Sequence, residues 1–326
     1  MKYFKDREYE NTKKDLWVLN AISNQFRTDI DTLNSKFDAF GKNIPGENLL
    51  INGDFKVNQR GLSSYSTTQK YTVDRWVLRA VSATVQTNGI RLQCTGSGTG
   101  GFNQSIENYE SLYGKTLTMS IKVRAIKGNW RIRACSANHS YNYSNNISEI
   151  SLTSTGVFSK TFEFSSSSMS TYPYFNIGVY YTAEIVGDYL EIEYIKLEIG
   201  DIATKFSPKP YIEELQTCQR YYRKLSGTSN NIIFGSGFAY GTTKGYVLLP
   251  VSMRSSPAIS YSGTLKLFVS GGYKTVSSMS VDSFSTCGVT LAITGSGYTA
   301  GQGAMLSSQS DSSAYIILDS EINWHF

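Results

Sequence analysis

The chain has 326 residues, 40% hydrophobic and only 17% charged, so it can bury real cores, and its length points to two domains besides any extended segment. A net charge of +5 is modest, and basic and acidic residues alternate, as between Lys2 and Asp15. That pattern excludes a nucleic-acid groove, which wants clustered Lys and Arg, and leaves at most a mild attraction to an anionic cell surface.

The first residues, MKYFKDREYENTKKDL, carry no apolar signal-peptide core, and no run of ~18 apolar residues follows anywhere. The expectation is a soluble protein made in a cytoplasm, with no membrane insertion. Cys94, Cys135, Cys218 and Cys287 are far apart and form no metal-ligand pair, so free thiols are expected.

A heptad repeat then runs along one predicted helix. Leu16, Ser23, Ile30 and Phe37 alternate with Leu19, Phe26, Leu33 and Phe40, and every position but Ser23 is apolar. Two sets spaced by seven and offset by three form one stripe, the pattern by which helices wind around copies of themselves. The alternative is an amphipathic helix packed on its own domain, since the run sits at the low end of the ~3–4 heptads a coiled coil wants. Phe at two of the four positions of the second set is bulky for two strands, so three are favoured.

Gly41 to Gly46, with Pro45, punctuates the end of the helix. From there the period is two, in Trp76, Leu78 and Ala80, in Ile90, Leu92 and Cys94, and in Leu117, Met119, Ile121 and Val123. It continues in Trp130, Ile132 and Ala134 and in Phe175, Ile177, Val179 and Tyr181. Turn-rich stretches at 95–101, 136–148 and 165–171 separate these strands, and a two-sheet antiparallel sandwich is the economical architecture. Between Asp188 and Gly200 the apolar phase slips, which predicts a bulge near Tyr194. Pro210 opens a predicted helix with Glu213 and Glu214 in its first turn and Arg220, Arg223 and Lys224 in its last, and with Tyr211, Leu215, Cys218 and Tyr222 on one side. After Gly227 a second strand-rich region follows, with candidate strands at 246–251, 265–269, 289–293 and 314–322. It is expected to be a smaller β domain, completed in one version by neighbouring chains.

Asn48-Leu49-Leu50-Ile51-Asn52-Gly53-Asp54-Phe55, Gln59-Arg60-Gly61, Asp74-Arg75-Trp76, Leu197-Glu198-Ile199-Gly200, Phe206-Ser207-Pro208 and Leu215-Gln216-Thr217-Cys218-Gln219-Arg220-Tyr221-Tyr222 occur in that order. The set resembles a recurring module of bacteriophage tail fibres and related receptor-binding proteins, over roughly Asn48 to Lys224 and more weakly beyond. The resemblance implies a carbohydrate-binding-module-like jelly roll, a short helix and a distal domain. The expected fold is therefore mainly β: residues 1–44 an attachment segment and trimeric coiled coil, 45–208 a jelly-roll β-sandwich, 209–226 a linking helix, and 227–326 a smaller C-terminal β domain, in a homotrimeric fibre. It also implies a virion structural protein, assembled in the host cytoplasm, that attaches to other virion proteins through its N-terminus and to a host cell-surface glycan elsewhere.

Asp74, Arg75 and Trp76 are expected to be scaffold rather than receptor contacts. In sugar-binding jelly rolls of similar start a structural calcium is held by acidic groups, for which Asp54 and Asp188 are the candidates here. Lys56 beside Asp54 and the lack of a dense carboxylate cluster argue against it, and no cofactor is expected. Glycans are recognised by aromatic faces with neighbouring amides and carboxylates. His139, Tyr141 and Tyr143 in a loop rich in Asn and Ser, and Tyr172 with Tyr174, have that composition, and the same tyrosines read equally well as ordinary loop residues or trimer contacts. The distal loops of the C-terminal domain compete as the receptor face.

Catalysis finds little support. His139 and His325 stand outside any catalytic motif, and the Gly-rich stretches 96–101 and 295–301 lack the features of a nucleotide loop. Glu191 and Glu193 would lie about 7 Å apart on one strand face, a glycosidase-like spacing that exposed strands reach far more often by simple alternation. The chain is expected not to be an enzyme. The other readings are a head-fibre, collar or decoration protein without a receptor role and, at greater distance, a polysaccharide-degrading tailspike, whose long β-helix repeat has no counterpart in this sequence.

Overall fold

The computed structural model describes residues 2–44, 46–66, 70–96, 100–138, 144–169, 172–181, 185–227, 229, 231–285 and 287–321, with side chains described at all of these except 2–12, 38–43, 70 and 144. Helix α1 (Lys2–Asn43) has 42 residues, about 63 Å at 1.5 Å per residue. Every described side chain from 13 to 37 is exposed, including Phe26 at 63%. Nothing in the described chain covers the seam, so the helix is not packed on its own β domain. Phe40 lies outside the described side chains. No described helix is long and apolar enough to cross a membrane.

Twelve strands form the sandwich: β1 (Ser64–Tyr65), β2 (Lys70–Tyr71), β3 (Val77–Arg79), β4 (Val81–Gln86), β5 (Gly89–Cys94), β6 (Gly100–Ile106), β7 (Lys115–Lys127), β8 (Trp130–Ala137), β9 (Ser144–Leu152), β10 (Gly156–Phe164), β11 (Tyr174–Tyr181) and β12 (Tyr189–Ile199). They pair in two six-stranded antiparallel sheets, ordered β1-β4-β5-β12-β7-β10 and β2-β3-β6-β11-β8-β9. Alternate residues of each strand point inward, which is why the period-two runs are legible. Leu117, Met119, Ile121 and Val123 of β7 face Ile132, Ala134, Ile177 and Val179 of the other sheet in one core, with Trp76 stacked on Phe102 at 4.9 Å. Each fully buried Leu, Ile or Phe contributes about 1.5–3 kcal/mol. Part of the stretch read as loop at 136–148 is strand, since β9 starts at Ser144 and pairs with β8 along its length.

Helix α2 (Tyr211–Gln219) is shorter than the sequence implies, with no basic residue in its last turn. Tyr222, Arg223 and Lys224 belong instead to β13 (Tyr222–Ser226), because a distant strand, β21, captures them in an antiparallel ladder. The C-terminal region comprises β14 (Ile233–Ala239), β15 (Lys244–Leu249), β16 (Ala258–Ser262), β17 (Lys266–Val269), β18 (Gly272–Ser285), β19 (Gly288–Gly295), β20 (Gly303–Ser307) and β21 (Tyr315–Asp319). Six of them close a barrel in the order β14-β15-β19-β18-β17-β20, and β13-β21-β16 form a small sheet beside it. The barrel closes within one chain, without a strand from a neighbour, around Val247, Leu249, Leu267, Leu291 and Leu306.

Candidate functional site

The motif residues gather at the joint between sandwich and C-terminal domain. Asp74 accepts hydrogen bonds from the Gln59 backbone N–H (2.8 Å) and side chain (3.1 Å), and Gln59 also donates to the Tyr222 carbonyl at 2.6 Å. Arg60 stacks over the Tyr222 ring at 3.8 Å and approaches Asp74 at 3.6 Å and Asp319 at 3.7 Å. Arg75 pairs with Glu321 at 2.5 Å and lies 3.6 Å over Tyr221, whose hydroxyl donates to Glu107 at 2.7 Å. Arg254 pairs with the same Glu107. Trp76 fills the core and donates its indole N–H to the Asn52 carbonyl at 2.9 Å. These groups face one another and the protein interior. Burial pushes Asp74 up to about 6, against the opposing pull of Arg60 and Gln59.

Of the five aromatic candidates for a glycan, His139, Tyr141 and Tyr143 lie outside the described residues. Tyr172 and Tyr174 are half-buried, and Tyr174 packs with Tyr71 against Val77 and Ala137 on the outer face of the second sheet. That face is polar but largely closed. Ser105 donates to Asn176 at 2.5 Å, Arg133 lies 4.1 Å over Tyr180, and Asn103, Asn176 and Tyr180 are buried.

The open concavity is on the opposite side, over the first sheet. Three cross-strand rows cover its outer face: Thr161, Thr118 and Glu198; Ser159, Ser120 and Lys196; and Val157, Lys122 and Tyr194, each contributed in turn by β10, β7 and β12. The bulge sits at the end of these rows. The β12–β7 register shifts on either side of Ile192, so that Glu193 and Arg124 have no cross-strand partner and both line the cavity. A bulge re-aims side chains in this way. The Asn88 carbonyl accepts from Arg124 at 2.7 Å and fixes the guanidinium.

A strap of residues 201–208 forms the other wall, held by a buried ion pair. Lys196 and Glu198 are 2.8 Å apart and each 1% exposed. Lys196 donates to the Thr204 hydroxyl (2.5 Å), which donates in turn to Glu198 (2.5 Å), and the Thr204 backbone N–H donates to the other Glu198 oxygen at 2.9 Å. Satisfied on both charges, the pair costs little to keep and much to break from one side. The strap so held sets Phe206 flat on Tyr194, with centroids 4.2 Å apart and an interplanar angle of 5°. The resulting groove has a volume of about 840 Å³, walled by Tyr194, Phe206 and Val157 and edged by Lys56, Lys122, Arg124 and Lys205 with Asp54 and Glu193. A recess of about 350 Å³ shares Asp54, Phe206 and Pro208 with it and reaches Glu47 and Lys209.

The bulge separates the two strand carboxylates that alternation places on one face. Glu191 pairs with Arg91 at 2.8 Å, and although burial acts to raise it, the Arg91 and Gln86 hydrogen bonds hold it below the usual carboxylate range. Glu193 is on the bulge. Of the two calcium candidates, Asp54 pairs with Lys56 at 2.8 Å and Asp188 with Lys127 at 3.5 Å, and among the described residues no three acidic, His or Cys side chains gather in one place. All four cysteines are free thiols, three of them buried. The groove residues Lys122, Arg124, Tyr194, Lys205 and Phe206 escape sequence reasoning. The sequence touches them at two places, the phase slip near Tyr194 and the Phe206-Ser207-Pro208 motif, and neither marks a groove.

Solved structures similar to this chain include carbohydrate-binding modules. A CBM4 structure is 16% identical, over 46% of this chain and 98% of the module, with a TM-score of 0.32. The CBM22-1 xylan-binding domain of Paenibacillus barcinonensis Xyn10C is 14% identical, over 47% and 95%, with a TM-score of 0.28. The family 11 carbohydrate-binding module of Clostridium thermocellum, solved with a mixed-linked tetrasaccharide, is 13% identical, over 42% and 96%, with a TM-score of 0.26. No protein-family model matches the sequence, and no curated protein matches it.

Proposed function

We propose that this chain is a bacteriophage fibre protein that binds glycans of the bacterial surface through its sandwich, as a homotrimer joined along α1 and attached to other virion proteins through its N-terminus. The observation that carries the glycan reading is the groove. It offers the ring surface that the stacked Tyr194–Phe206 pair leaves open for the C–H faces of sugars, beside hydrogen-bonding groups at Asn88, Glu193 and Lys122 for hydroxyls. The ordered motif set supports the fibre reading, and the uncovered heptad stripe supports the trimer. The reading is of a binder rather than a hydrolase, because Glu191 is paired with Arg91 and the groove's other carboxylate beside Glu193, Asp54, is paired with Lys56.

Fluorescently labelled full-length protein, incubated with a panel of bacterial strains and their extracted polysaccharides, should bind at least one strain and its polysaccharide. Phe206→Ala should weaken that binding about tenfold without releasing reducing ends in either form. Binding no better than an unrelated trimer across the panel overturns the proposal.

A further inference from the structure

We infer that the groove over the first sheet selects an anionic glycan, one carrying uronate carboxylates or phosphodiesters, over a neutral one. This rests on the reading of the groove as a glycan site and deepens it. Of its six charged groups, Asp54 is 13% exposed and already pairs with Lys56 at 2.8 Å. Lys122, Arg124 and Lys205 then face a single carboxylate, Glu193. Among the described residues neither Lys122 nor Lys205 has a carboxylate within ion-pair distance, and Arg124 donates one N–H to the Asn88 carbonyl and acts on Glu191 by charge without an ion-pair contact. A guanidinium with spare donors and two ammonium groups recognise carboxylate or phosphate oxygens.

Lys122 and Arg124 are two residues apart on β7, roughly 7 Å along an extended strand. That is within the Debye length of about 8 Å at physiological ionic strength, so an anion in the groove feels these cations together. The cations are also held in place. Arg124 stands at the bulge, and Lys205 lies on the strap between Thr204, tied to the buried Lys196–Glu198 pair, and Phe206, stacked on Tyr194. A merely solvated basic face would have no such anchoring and no aromatic wall beside it. A polymer of acidic sugars meets both features at once, with its rings on Tyr194 and Phe206 and its charges on the lysines and Arg124.

The test is affinity electrophoresis of the full-length protein in gels holding polygalacturonate, poly(glycerol phosphate) or neutral dextran, at 50 and 500 mM salt. Retardation by polygalacturonate, by the glycerol phosphate polymer or by both, with dextran inert, is expected, and which polymer acts tells carboxylate from phosphodiester. Affinity should fall at least tenfold between the two salt concentrations. Lys122→Ser with Lys205→Ser should weaken it about tenfold with an unchanged melting temperature, whereas Lys160→Ser with Lys244→Ser, an equal loss of charge elsewhere, should leave it within twofold. Equal losses in both double variants, or full binding in the first, overturn the inference by removing the anion from the groove. Dextran bound as tightly as the polyanions overturns the selectivity and leaves the glycan reading standing, and no retardation by any polymer overturns both.

Discussion

Arg75 adopts a left-handed backbone at φ 75°, a conformation that costs a residue with a Cβ roughly 1–2 kcal/mol. The conformation turns both its backbone N–H and its guanidinium toward Glu321, at 3.1 and 2.5 Å, from the far end of the chain. Beside it Asp74 is wholly buried, and burial lifts its pKa to about 6 from an ordinary 3.8, despite Arg60 nearby. Between those two values the folded protein holds a proton that the unfolded chain has released. Stability from this group is therefore full below about pH 4 and falls as pH rises through 6, by about 3 kcal/mol in all. Asp74→Asn removes that slope. Urea unfolding of both forms from pH 4 to 7 should show the variant gaining on the wild type by an amount of that order as pH rises, and a constant difference between them would refute the assignment.

The bulge joining β7 and β12 depends on a glycine in β5. Gly89 has φ 125°, and a Cβ there would stand 1.9 Å from the Ile192 carbonyl oxygen, at the residue where the register shifts. Gly89→Ala should cost at least about 2 kcal/mol, from the strained φ and the backbone clash together, and should weaken ligand binding in the groove by displacing Arg124 and Glu193. Gly61→Ala, at φ 73° with nothing within 4 Å of the added carbon, isolates the conformational part and should cost about 1 kcal/mol without touching the groove. Thermal unfolding of the two variants separates the contributions, and equal losses would deny the bulge its dependence on Gly89. This bulge was legible in the sequence because a period of two breaks visibly where Ile192 gives way to Ile195. The strap was not. Lys196 and Glu198 look like solvated charges in a strand, and nothing local shows that Thr204 closes over them to set Phe206 on Tyr194. The early end of α2 was hidden for a similar reason: its charge and apolar pattern runs on through Tyr222, and only the pairing with β21, nearly a hundred residues later, pulls that residue into a strand.

At the scale of the whole molecule, a helix about 63 Å long carries Leu16, Leu19, Phe26, Ile30, Leu33 and Phe37 to solvent while the β domains bury their own cores completely. Burying such side chains fully gains about 1.5–3 kcal/mol each, so six per copy in three copies can offset the roughly 4–15 kcal/mol that each of a trimer's two association steps costs. A second apolar strip, with Phe238 on β14, Tyr240 just after it and Leu248 on β15 exposed, lies on the outside of the barrel and offers another surface for contact between copies. The helix and the barrel strip therefore compete as the seat of assembly, and the substitutions Phe26→Asp with Ile30→Asp distinguish them. Light scattering at micromolar concentration should give a trimer for the intact chain and a monomer for the double variant, with the β-sheet circular dichroism unchanged because no β residue touches the seam. A trimer that survives the two aspartates would place assembly on the barrel instead, and a monomeric wild type would remove the trimer altogether. In the proposed trimer three grooves would raise avidity without any new contact, so the double variant should lose polysaccharide-coated-surface binding by 10²-fold or more while each single groove keeps its own affinity for a short oligosaccharide.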